Sequence, residues 1–193
     1  MQMRVELKDV LVALIGEQNP VANAALDALR ANGAIVNEPA SAVPDILVVS
    51  LPLLPVGGYD PGPLLQGART TAARMVERGD GKIVFLASAM AGMPTRRHPA
   101  FSVAMAALVA TVRTLAMECG PKILVNAVGV GAVGEPLVAG DVTMLSHASI
   151  KRSGTVQEVT DTLLFFCDPL NTYTTGQMLS VDGGWSVGYG RNF

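Results

Sequence analysis

Charge is scarce in this chain of 193 residues: Asp, Glu, Lys and Arg together make up 16%, and the net charge is −2. With no basic run and no aromatic-basic stripe, nucleic acid is a poor partner. Aromatics are scarcer still at 5%, and only two histidines are present, His98 and His147. The two cysteines, Cys119 and Cys167, are too few for a disulfide framework and too far apart for a local metal motif. Both are expected as reduced thiols in a cytoplasmic protein, with no metal bound. No window holds the roughly 18 uninterrupted apolar residues of a membrane span. The N-terminal stretch has too short an apolar run and no small-residue cleavage site, so it does not read as a secretory leader.

Apolar surface, by contrast, is plentiful: half the residues are hydrophobic. A chain of this length is expected to fold as one domain, residues 1–193, with a substantial core. So little charge for so much apolar area also favours an oligomer over a lone monomer.

Short apolar runs bounded by Gly or Pro predict buried parallel strands at Val10 to Ile15, Ala34 to Val36, Asp45 to Ser50, Lys82 to Ala87, Ile123 to Val128 and Met178 to Val181. Between them lie helical stretches at Val21 to Ala31, 63 to 78, Pro99 to about Glu118, near Leu137 to His147, and Val156 to Phe166. Asn32-Gly33, Gly79-Asp80-Gly81 and Gly120-Pro121 supply stop signals. Strand alternating with helix predicts an α/β fold, a single doubly wound parallel sheet of the Rossmann-like kind. The Pro- and Gly-rich stretch from Leu51 to Gly62 reads as loop.

Ser88 ends the strand that begins at Lys82, the position where such folds place their ligands. Twelve residues separate it from Phe101, and three more separate Phe101 from Met105. That spacing resembles the Ser…Tyr-x-x-x-Lys set of the short-chain dehydrogenase/reductase family. Other stretches carry the same resemblance in the same order. Gly81 to Gly92 is similar to the family's strand before its catalytic serine, and Leu124 to Val128 to the strand before its Pro-Gly turn. Lys151 to Val159 resembles its R-x-G-x-x-E-V helix entry, and Thr175 to Gly184 its closing strand. The resemblance is strong over about 110 residues of the C-terminal half and weaker before them.

The resemblance implies an NAD-dependent oxidoreductase, but the working positions depart from the family pattern. Its dinucleotide turn, T-G-x-x-x-G-x-G, falls on Ile15 to Ala22, where Gly16 remains and Pro20 and Ala22 replace glycines. Proline lacks the N–H that would face a pyrophosphate, and the Ala22 methyl is expected to intrude on the close approach. Glu17 adds a negative charge beside that place. The family's N-N-A-G turn reads Val49 to Pro52, and its Pro-Gly turn reads Val130-Gly131. Between the strands ending at Val36 and starting at Asp45 there are eight residues, Asn37 to Pro44, where the family has a helix, a strand and a helix. Eight extended residues span roughly 26 Å as coil, and a helical crossover needs a dozen or more. The sheet is therefore expected to be shortened by that segment.

Phe101 stands where the family has its tyrosine acid/base, and it has no ionisable proton. Met105 stands where a lysine would stabilise a tyrosinate, and the asparagine position falls near Asp60-Pro61. Ser88, Phe101 and Met105 are thus expected as vestigial catalytic positions, and Gly16, Pro20 and Ala22 as vestigial cofactor positions. No cofactor is expected on this chain. Ser88 reads at least as well as a strand-end serine bonding to backbone. Arg96, Arg97 and His98 read as a solvated loop or as a basic lip for a carboxylate or an acyl-CoA phosphate. Met90, Met93, Met105 and Met117 read as core filler or as pocket lining.

The helix from Pro99 is apolar on nearly every face, so it is expected to be covered on a second side. In the family, this helix and the one at 63 to 78 pair with their counterparts in a four-helix interface. Ala68, Ala72, Ala106, Ala107 and Ala110 would permit the close approach, and the tail Tyr189 to Phe193 would reach a neighbour. The resemblance then implies a non-catalytic subunit beside an intact paralogue, as a heterotetramer, with NAD on the partner subunit. It extends to heteromeric dehydrogenases of anaerobic aromatic breakdown that oxidise a hydroxyacyl-CoA. A stand-alone small-ligand binding or sensor protein and a divergent oxidoreductase are the alternatives.

Overall fold

Six short runs of β-branched and aliphatic residues form one sheet. In the computed structural model, which describes residues 3–36 and 42–187, these strands are β1 (Leu11–Gly16), β2 (Ile35–Val36), β3 (Ile46–Ser50), β4 (Gly81–Ser88), β5 (Ile123–Val130) and β6 (Met178–Val181). All pair in parallel, in the order β2-β1-β3-β4-β5-β6. The helices are α1 (Pro20–Ala31), α2 (Gly62–Arg78), α3 (Pro99–Cys119), α4 (Val142–His147) and α5 (Val156–Cys167). Pro20 and Pro99 each open a helix, where a missing N–H costs nothing. α4 is shorter than the expected Leu137 to His147, because residues 133–139 close a tight turn in which Val138 N–H donates to the Val133 carbonyl at 2.9 Å.

Alternate strand residues point to opposite faces, so the sheet has two cores. Val12, Ile46, Val48, Val84 and Val128 pack with α1 and α5. Leu47, Val49, Ile83, Phe85 and Val125 pack with α2 and α3. This is the three-layer, doubly wound architecture expected. The eight-residue segment Asn37 to Pro44 falls largely outside the described residues, as does the tail Tyr189 to Phe193. Among the described residues β2, two residues long, closes that edge of the sheet.

One expectation about α2 needs correction. Ala68 and Ala72, expected to face a partner, lie on the inward stripe Leu65, Ala68, Ala72, Met75 and are 0% and 1% exposed. They let α2 sit close to its own sheet and are unavailable to another subunit. Ala106, Ala107 and Ala110 do lie on the exposed side of α3. On mean hydropathy α3 is also long and apolar enough to cross a membrane, although Arg113 interrupts its apolar run. Its inward residues Phe101, Met105, Leu108, Val112 and Leu115 belong instead to the core.

The R-x-G-x-x-E-V stretch has a structural role. Glu158 accepts from Thr155 N–H at 2.7 Å while Glu158 N–H donates to the Thr155 hydroxyl at 3.1 Å, a reciprocal cap on α5. Arg152 grips the same carboxylate through two nitrogens, at 2.6 and 3.0 Å. Arg152 and the Thr155 N–H hold the Glu158 pKa down to about 2. A carboxylate with a lowered folded pKa contributes stability above its ordinary value near 4.5, and that contribution is lost as pH falls toward 2. With the side chain 42% exposed, solvent screening reduces the contribution to about 1 kcal/mol. Glu158→Gln is expected to lose about that much at pH 7 and nothing near pH 2, as read from urea midpoints across pH.

Candidate functional site

The strand order reverses at β1, which has β2 on one side and β3 on the other. Ligands of open α/β sheets bind at the carboxyl ends of the strands flanking such a point. Here that crevice is laced together. Glu17 N–H donates to the Ser50 carbonyl at 2.9 Å, and the Asn19 amide donates to the Ser50 hydroxyl at 3.3 Å. Gly16 adopts φ +101°, and a Cβ there would fall on the Ser50 carbonyl oxygen. The fold itself therefore requires the one glycine that remains of the turn.

Asn19 decides what the N-terminus of α1 can offer. Its Oδ1 accepts from Val21 N–H at 3.1 Å and Ala22 N–H at 2.9 Å, while Asn23 N–H donates to the Asn19 carbonyl at 2.9 Å. Pro20 has no N–H, so every donor of the first turn is absent or satisfied within the chain. A pyrophosphate needs those donors free; the residues present do not fit one. The reason differs from that expected for Ala22, whose methyl is fully buried between α1 and the sheet and does not face the ligand side. Asn19→Ala is expected to cost about 1–2 kcal/mol, measured by denaturant unfolding.

At the end of β4, Ser88 is fully buried, and its hydroxyl accepts from Met90 N–H at 3.3 Å, capping a short 3-10 turn. Phe101 and Met105 are 3% and 0% exposed and face inward on α3. Tyr59, from the loop between β3 and α2, meets Phe101 with ring centroids 6.5 Å apart. Burial first, then the nearby carboxylates Glu17 and Asp60, push the Tyr59 pKa up. A tyrosine serving as acid/base near neutrality needs the opposite shift. Burial also raises both thiols, Cys167 to about 12, which leaves them protonated and poorly nucleophilic. Among the described residues no three His, Cys, Asp or Glu side chains gather as a metal site would require.

A cavity of about 350 Å³ lies between the loop before α3, α4 and the turn after β6. Met90, Met144 and Trp185 give it apolar walls, and Arg96, Arg97, His98 and His147 give it a basic rim. Of the four methionines considered above, Met90 lines this cavity, Met93 and Met105 pack in or against the core, and Met117 is 75% exposed. Asp182 folds its own turn, its carboxylate accepting from Gly184 N–H at 2.9 Å and Ser186 N–H at 3.0 Å.

Residues 64–186 match the family model described as enoyl-(acyl carrier protein) reductase. An SDR-type (21S)-21-acetoxyl-apo-melianone synthase of Melia azedarach is 32% identical over 95% of this chain and 67% of its own length. The chain belongs to the short-chain dehydrogenase/reductase family of oxidoreductases. It is also 30% identical to the 7alpha-hydroxysteroid dehydrogenase of Escherichia coli over 61% of this chain and 49% of that enzyme. The chain thus spans about half the length of several curated relatives that it matches. Among solved structures, the ligand-free aldohexose dehydrogenase of Thermoplasma acidophilum aligns with a TM-score of 0.76 at 18% identity, over 97% of this chain and 98% of that one. At that identity the likeness shows the fold.

Against the short-chain dehydrogenase pattern, the structure places Ser88 at the end of β4 and Phe101 and Met105 in the first two turns of α3. It does not gather them around an open cleft. Sequence reading missed two residues here. Asn19 was signalled by an Asn-Pro pair directly before an apolar helix, a cap signature. Tyr59 had no signal, since a loop residue has no periodicity to reveal its direction.

Proposed function

We propose that this chain is a non-catalytic subunit of a hetero-oligomeric, NAD-dependent short-chain dehydrogenase. One observation carries the reading: Phe101 and Met105, at the tyrosine and lysine positions, are buried in the core and carry no ionisable group. The laced turn at Gly16, Glu17 and Asn19 supports it from the cofactor side. An intact paralogue would bind NAD, supply the tyrosine and lysine, and oxidise a hydroxyacyl-CoA to the ketone. The exposed face of α3 would hold the two together as a heterotetramer. The resemblance to heteromeric dehydrogenases of anaerobic aromatic breakdown suggests the setting.

Affinity purification of the tagged chain from its native source tests this. An intact short-chain dehydrogenase is expected to co-elute, while the isolated chain shows neither turnover nor NAD(P) binding by calorimetry. Turnover by the isolated chain would make it a divergent oxidoreductase and end the subunit reading. A second reading, a binding module that kept a cleft without the chemistry, has one observation in its favour: the cavity of about 350 Å³ lined by Met90, Met144 and Trp185.

A further inference from the structure

We propose that this cavity is an anion site, taking a compact carboxylate or phosphate ester against the Arg96-Arg97 rim. The inference rests on the binding-module reading and names the chemistry of its ligand. The volume, about 350 Å³, lies at the small end of ligand pockets, which run from roughly 300 to 1,000 Å³. It suits a small metabolite or the tip of a longer molecule. Met90, Met144 and Trp185 offer apolar contact to the body of such a ligand.

The rim supplies the charge. Arg96 has no ion-pair or hydrogen-bond partner among the described residues. Arg97 has only a long contact to Asp141, at 4.0 Å. That carboxylate is already engaged by Thr143, whose N–H and hydroxyl donate to it at 2.8 and 2.9 Å. Two guanidiniums against one committed carboxylate leave a net positive charge before either imidazole is counted. Guanidinium forks match carboxylate and phosphate oxygens geometrically. In a chain with so little charge, two adjacent arginines at a cavity mouth stand out from the rest of the surface.

The loop bearing them is also held in place. Thr95 N–H donates to the buried Ser102 hydroxyl at 2.9 Å, and Ser102 N–H donates to the His98 carbonyl at 2.9 Å. The loop is thereby tied to the first turn of α3, which reduces the ordering cost of binding. In the same wall, the Thr95 hydroxyl is buried with no hydrogen-bond partner among the described residues.

The test is calorimetry on the full chain with four probes: succinate, its neutral analogue succinamide, inorganic phosphate and glycerol 3-phosphate. Succinate or a phosphate probe is expected to bind, with succinamide weaker by tenfold or more. Which anion binds separates the carboxylate and phosphate sources. Arg96→Ala/Arg97→Ala is expected to weaken binding at least tenfold while leaving the melting temperature unchanged, since both side chains are solvent-exposed. Ser102→Ala, which loosens the loop, is expected to weaken it less. Succinamide binding as tightly as succinate, or a double variant with undiminished affinity, would overturn the anion assignment and leave the cleft reading standing. No binding of any probe up to about 10 mM, weaker than about −3 kcal/mol, would overturn both.

Discussion

Returning the family's residues to positions 101 and 105 is expected to unfold this chain, not to revive catalysis. Met105 has 0% exposure and sits in the cluster under α3 with Phe85, Phe101 and Leu108. Lysine there places an ammonium in the core, where an unpaired buried charge costs about 3–5 kcal/mol. A domain of ordinary stability has about 5–15 kcal/mol in total. Phe101→Tyr adds a buried hydroxyl beside Tyr59 and is expected to cost a further 1–3 kcal/mol or so if that hydroxyl finds no partner. Urea unfolding of Met105→Lys, followed by the fluorescence of buried Trp185, measures the loss. Burial lowers the lysine pKa in the folded state, so the penalty is absent above its unfolded value near 10.4. It grows as pH falls below that value. The variant is therefore expected to be several kcal/mol less stable than the parent at pH 7 and to recover much of the deficit near pH 10.5. A double variant as stable as the parent at pH 7, with NAD-dependent turnover, would show a latent enzyme and sink the subunit proposal.

How much of this was legible depended on whether the pattern carries direction. The strands were readable because each is a brief run of Val, Ile and Leu stopped by Gly or Pro, and a parallel sheet buried on both faces demands such runs. Their order along the chain placed Ser88 at the end of β4 and Phe101 and Met105 at the start of α3. Which way an alanine faces was harder. On α2 the stripe Leu65, Ala68, Ala72, Met75 has the helical period and marks the inward face. Reading the alanines as contact residues for a partner overrode that signal. On α3 apolar residues lie on all sides, so the period is silent, and only the packing shows that Phe101, Met105 and Leu108 point inward. At the cofactor turn, substitution of the glycines was visible, but the closure was not. It comes from the Asn19 side chain and from Ser50, thirty-one residues away in sequence. Long-range hydrogen bonds of that kind leave no local mark.

Ala107→Arg is expected to abolish assembly with the proposed paralogue while leaving the isolated chain folded. Ala106, Ala107 and Ala110, with Val103 at 71% and Met117 at 75% exposure and Arg113 also exposed, lie on the outward side of α3. Small residues at its centre let a facing helix approach to about 8–10 Å between axes. Val103 and Met117 then add apolar area at either end. Arg69 bonds Glu118 at 2.6 Å and the Thr114 hydroxyl at 3.1 Å, so α2 and α3 present one braced surface. A long cation at the point of closest approach holds the helices apart and must be desolvated, enough for a hundredfold loss of affinity or more, about 3 kcal/mol. Because residue 107 is exposed, the same change is expected to move the stability of the isolated chain by no more than about 0.5 kcal/mol. Ala72→Arg, on the inward stripe of α2, is expected to do the reverse and unfold the chain before any partner is met. Light scattering of the co-purified complex, beside denaturant curves of each isolated variant, separates the two effects. If Ala107→Arg leaves the complex intact, assembly does not run through α3. The edge strand β6 with exposed Leu179, and the neighbouring Leu170 and Tyr173 at 88% and 99% exposure, would then be the surface to change next.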